Sequence, residues 1–137
     1  MRRSIDSDQR GFSVSVLVCL LIPIFLLTIG LAVDGAARAA ADRRAEAVAA
    51  QAARAGLDAA APALVSGTPA ATASQIAVVG AERILASYPE IEGTVALGDD
   101  LTLDVTTSTT VPTTFLTLAG IDQLTGHGSA TVELRMR

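Results

Sequence analysis

From Phe12 to Val33 the chain reads FSVSVLVCLLIPIFLLTIGLAV, 22 residues without a charged side chain. At 1.5 Å per residue a helix of that length reaches about 33 Å, enough to cross a hydrocarbon core of about 30 Å. A helix buried in a soluble core normally keeps a polar stripe, and this one offers only Ser13, Ser15 and Thr28. A secretory signal has an apolar stretch of about 7–15 residues. The present one is longer, although the small-residue run 35–41 carries an A-x-A-like spacing. A lipoprotein signal needs a small residue before its cysteine, and Val18 precedes Cys19. The segment therefore reads as a transmembrane helix over 12–33, with Cys19 as an apolar side chain facing lipid or another helix. A short basic leader, residues 1–11, precedes it with Arg2, Arg3 and Arg10; Arg38, Arg43 and Arg44 follow. Basic flanking residues set orientation and here nearly balance. A short tail before a first apolar helix most simply stays inside. The expectation is a single-pass protein of the cell membrane, N-terminus cytoplasmic and C-terminal domain extracytoplasmic.

The helical pattern continues past Asp34. Residues 35–61 hold 15 alanines and no proline, and alanine is the strongest helix former. A charge-free stripe runs through Ala37, Ala41, Ala45, Val48, Ala52, Ala55 and Ala59 at steps of three and four, the spacing of one helix face. Its small side chains suit close approach of another element, so it is expected to be a docking seam. Residues 34–61 thus extend the membrane helix to about 50 residues, roughly 75 Å. Pro23 is expected to kink the membrane half and Pro62 to end the pattern.

Residues 62–137 read as a small exported α+β domain. Pro62–Gln75 is loop-like, and Thr72 or Ser74 can cap a second helix running to about Ser87. Ile76, Ala77, Gly80, Ile84 and Leu85 form its apolar face. The period then changes to two. Thr94–Leu97 and Leu101–Thr106 flank Gly98-Asp99-Asp100 as a β-hairpin. Thr107–Pro112 reads as loop, Thr113–Ile121 as a short apolar helix or turn, and Gly128–Arg135 as a third strand. The fold class is α+β: a long N-terminal helix packed on a small antiparallel sheet of about three strands, with one or two short helices. Only 76 residues without a disulfide follow residue 61. A unit of that size is hard to stabilise alone and needs the alanine seam to cover its sheet.

Composition removes several functions. Aromatic residues make up 3% and the net charge is −4, which argues against a stacking or polyanion-binding surface for nucleic acid. There is no lysine, hence neither a Schiff-base nor a P-loop cation. One cysteine and one histidine cannot make a zinc site of several Cys and His ligands. His127, between Gly126 and Gly128, reads as a turn or strand residue rather than a ligand or base. Asp99-Asp100 read as hairpin-tip acids. Gly80, Gly93 and Gly98 never fall into a G-x-G-x-x-G pattern. The Thr106–Thr114 run reads as a surface loop, with O-linked sugar as its alternative use. No catalytic residue, cofactor, metal or small-molecule substrate is expected.

Three stretches resemble the TadE/TadG-like minor pilins of tight-adherence (Flp) pili, in their actinobacterial form. They are Arg10-Gly11 leading through Phe12–Val16 to Ile24; the Val33-Asp34-Gly35 exit with Ala52-Ala53-Arg54-Ala55-Gly56; and Thr113-Thr114-Phe115-Leu116 through Ala119-Gly120-Ile121 with the closing Ser129–Val132 strand. The resemblance implies a pilin-like fold and a non-catalytic minor (pseudopilin) role in a tight-adherence, type IV-related pilus or secretion system. It implies partners in membrane lipid, in other pilin-like subunits met through the N-terminal helix, and in the pilus assembly platform. Gly30, Ala32 and the Ser13/Ser15 pair are the expected close-contact points. It also implies prepilin-peptidase cleavage after Gly11. The family's usual Glu five residues into the mature chain is Val16 here, which suits a minor subunit or an uncleaved anchor. The competing reading is a single-pass envelope module that binds a partner and never enters a pilus.

Overall fold

The computed structural model describes residues 8–98 and 101–134. Residues 1–7 of the leader, the Asp99-Asp100 pair and Arg135 lie outside the described residues. The protein is α+β: one long helix, one short helix and a three-stranded antiparallel sheet.

Helix α1 runs Asp8–Val65, 58 residues, or about 87 Å. It includes Gly11, so the end of the leader is already helical. It continues through Pro23 without a break. Pro62 also lies inside it, so the expected stop at residue 61 is corrected to Val65. A proline near the end of a helix removes one backbone bond without preventing the last turn. The terminator is Gly67. It adopts φ +73°, and the amides of Thr68 and Gly67 donate back to the carbonyls of Ala63 and Leu64 at 3.0 and 3.4 Å. That is the paired C-cap of a Schellman motif, in which glycine takes the left-handed position at least cost.

Helix α2 spans Ala70–Leu85, with Pro69 rather than Thr72 or Ser74 at its N-cap. Proline fits there because its fixed φ of −51° leads the chain into the first turn. Most of the stretch read as loop, from Pro62 to Gln75, is therefore helical. Ala73, Ser74, Ala77 and Ala81 face inward, while Ile76 is exposed. Glycine and alanine set how closely the two helices cross. A Cβ added at Gly80 would meet the Ala59 side chain at 2.8 Å, and one at Gly56 the Ala77 carbonyl at 2.7 Å.

Strands β1 (Glu92–Leu97), β2 (Thr102–Pro112) and β3 (Gln123–Glu133) lie in that order. The hairpin register pairs Leu97 with Leu103 and Glu92 with Ser108. β3 pairs along all of β2, from Thr102–Glu133 to Pro112–Gln123. Thr107–Pro112 is thus strand, not loop. Threonine is β-branched and favours the pleated backbone, and Thr107 and Thr109 continue the inward row of Leu103 and Val105. Their hydroxyls are satisfied: Thr107 donates to the Ala45 carbonyl at 2.8 Å and Thr109 to the Glu90 carbonyl at 3.1 Å.

The sheet covers α1 with β3 and β2, and α2 packs under β1. The core is mostly alanine, with Ala49, Ala52, Ala53, Ala60, Ala77 and Ala81 around Leu103, Val105 and Leu134. Burying Leu103 and Val105 contributes about 1.5–3 kcal/mol each. In the seam, Ala41, Ala45, Val48 and Ala52 are buried, Ala37 and Ala55 are half-buried, and Ala59 is exposed. The buried face moves instead to Ala49, Ala53, Gly56 and Ala60. The reason is the second helix: toward this end α2 packs against α1, with Gly56 against the Ala77 backbone, so the covered side of α1 turns toward α2.

Candidate membrane and partner interface

The first half of α1 is left largely bare by the folded domain, with the β2–β3 loop seated against Gly30. From Val14 to Val33 every side-chain position is exposed except Gly30. The helix is long and apolar enough to cross a membrane. Val16, Ile24 and Cys19 all lie on this bare surface. Ser15 and Ala32 are open as well, but Gly30 is not available to another subunit. A Cβ there would fall 2.7 Å from Phe115 of the same chain, so the expectation that Gly30 meets a neighbouring helix is corrected.

Phe115 is held in place by Asp34. The loop between β2 and β3 turns through a 3-10 helix at Leu116–Ala119. Its leading amides all point at one carboxylate. Thr114 donates to Oδ1 of Asp34 at 2.8 Å, and Phe115 and Leu116 donate to Oδ2 at 2.9 and 2.7 Å. Asp34 is 1% exposed. The Thr114 amide bond most strongly lowers its pKa, burial opposes that, and the Leu116 and Phe115 amides add to the lowering. An ionised carboxylate satisfying three backbone donors resolves two problems at once, the unpaired amides of a turn and a charge at the end of an apolar span. Gly120 closes the loop at φ +82°.

Sequence reasoning used Asp34 only to mark where the span ends. The signal that it had a partner was its isolation, a lone acid between 22 uncharged residues and Gly35. The partner lies 80 residues away, and only the strand pairing brings it there. Two of the three stretches behind the family resemblance, the exit at Val33–Gly35 and the segment Thr113–Ile121, thus meet in space.

His127 is exposed on β3. Its amide donates to Oδ1 of Asp42 at 2.9 Å, and its ring borders shallow hollows lined by Glu46, Thr106 and Thr107. The flanking glycines explain the Gly-His-Gly motif. A Cβ at Gly126 would lie 2.6 Å from the backbone of Ala41 and Asp42, and one at Gly128 would run into the backbone of Ala45 and Glu46. Gly93 likewise makes room for Leu85. Arg44 forms an exposed ion pair with Glu90. Among the described residues no three His, Cys, Asp or Glu side chains converge on a metal-sized site. The chain matches no family model, no curated protein and no solved structure.

Proposed function

We propose that the chain is a non-catalytic minor pilin-like subunit of a tight-adherence, type IV-related pilus or secretion system. It is anchored in the inner membrane with its N-terminus cytoplasmic and its sheet outside. The observation that carries the reading is the division of α1. One half is clothed by the sheet and α2, and the other is an apolar rod left open along most of its length. Apolar helices associate in a bilayer by close packing of small and complementary faces, since lipid offers no hydrophobic expulsion. Val16, Ile24 and Ala32 lie on the surface that neighbouring pilin-like helices would meet.

Deletion of the chain is expected to impair piliation or surface adhesion, while His127→Ala leaves both intact. Photo-crosslinkers at Val16 or Ile24 should capture other pilin-like subunits in the membrane. Crosslinks to lipid alone, with normal piliation after deletion, would favour an anchored envelope module instead. Intact mass of the membrane-purified protein tests removal of the leader after Gly11.

A further inference from the structure

The 3-10 loop does not sit with the rest of the sheet. It hangs from the end of β2 and β3 alongside the apolar half of α1. Leu26, Leu27 and Leu31 of the helix and Phe115, Leu116 and Leu118 of the loop line one cavity of about 420 Å³. Leu27 lies seven residues before Asp34, so the loop reaches roughly 10 Å down the span. A polar surface loop would be out of place there. This one presents Phe115, Leu118 and Ile121 outward, with Leu118 88% exposed. From Thr114 to Ile121 (TFLTLAGI) it carries no charged residue. Its backbone is prepared for an apolar medium as well. The Asp34 carboxylate takes the leading amides. The amides of Leu118, Gly120 and Ile121 bond within the loop at 3.0–3.1 Å. Unsatisfied backbone groups are costly in hydrocarbon, so a loop with these amides taken suits the headgroup–acyl boundary, where apolar side chains reach acyl chains while water still reaches the backbone.

We propose that Phe115–Ile121 is a second membrane-inserted element. It is a wedge whose Leu118 and Phe115 side chains enter the lipid leaflet on the side of the folded domain, with acyl chains filling the groove against Leu26, Leu27 and Leu31. The occupant is lipid because the groove is continuous with the surface of the membrane helix, at depths where that helix is itself surrounded by acyl chains. The inference rests on the membrane-anchored reading of α1 and does not require assembly into a pilus. Its consequence is a domain clamped to the bilayer at two points, the helix and the wedge.

The test uses the full chain with Cys19→Ala, reconstituted at low protein-to-lipid ratio in phosphatidylcholine/phosphatidylglycerol vesicles. Single cysteines replace Leu118, Leu27 or Gln75, and each carries an environment-sensitive fluorophore. Phosphatidylcholine spin-labelled near the headgroup end of its acyl chain serves as quencher. The wedge requires blue-shifted emission and loss of fluorescence at Leu118→Cys comparable to that at Leu27→Cys, with none at Gln75→Cys. Water-like, unquenched emission at Leu118→Cys beside a quenched Leu27→Cys overturns the wedge and leaves the membrane helix standing. An unquenched Leu27→Cys overturns the anchor and the wedge together. A blue shift at Leu118→Cys that lipid does not quench, and that fades as the protein is diluted in lipid, assigns the groove to a second copy of the chain and also overturns the proposal.

Discussion

The amide of Phe115 donates to Oδ2 of Asp34 at 2.9 Å across 81 residues of sequence, and the Phe115 side chain covers Gly30 one helical turn below. One carboxylate, taking three amides, and one missing side chain thus seat the loop on the helix. Asp34→Ala leaves three loop amides without their acceptor. Amide hydrogen exchange at Thr114, Phe115 and Leu116 should quicken strongly, while Val105 and Ala130 in the sheet stay protected. Equal quickening in the sheet would mean that Asp34 supports the whole domain rather than the loop.

The same contact sets a pH dependence. Asp34 has its pKa lowered in the folded state, so the folded protein holds this proton less readily than the unfolded chain. Its contribution is complete above the ordinary aspartate pKa of about 3.9 and is lost as pH falls through the lowered folded value. Exchange at Phe115 should be flat from neutral pH to about pH 5, after correction for intrinsic rates, and rise at lower pH. Asp34→Asn should abolish the pH-dependent part.

Val48 is 4% exposed on the buried face of α1. Val48→Asp places an unpartnered charge there and should cost several kcal/mol. Arg44→Ala removes an exposed pair with Glu90 and should cost about 0–1 kcal/mol. Thermal unfolding of the two variants in detergent separates these cases.

Gly128→Ala probes the strand-on-helix contact. The neighbours are backbone atoms of Ala45 and Glu46, which cannot rotate away as a side chain can. The expected loss is about 1–3 kcal/mol by overpacking, read as a lower denaturant midpoint. Ser129→Ala, at an exposed position beside it, should be nearly neutral.

Much of the architecture was legible because it rests on local pattern. Twenty-two uncharged residues and an alanine-rich run predict one long helix, and alternation around Leu103 and Ala130 predicts strands. The errors lie where tertiary structure outweighs a local rule. Pro62 reads as a stop, but the cap that ends the helix sits at Gly67. Thr107–Pro112 reads as polar loop, yet Thr107 is buried because Ala45 offers its carbonyl. The alanine seam drifts off its face by Ala59. At the candidate interface the bare rod was readable, whereas the Asp34 contact depends on a β2–β3 register that no short-range signal encodes.

The 58-residue length of α1 has a mechanical consequence. A helix resists twisting far more than a loop does, and here no loop separates the apolar half from the half that carries the sheet. Any torque applied to the apolar rod must turn the sheet through the same azimuth, and a load on the sheet is returned to the rod. The softest point along that shaft is the turn before Pro23, where a backbone donor is missing. If the rod spans a membrane and packs against neighbours there, as proposed, the orientation of the β-sheet around the membrane normal follows from which face of the rod they meet.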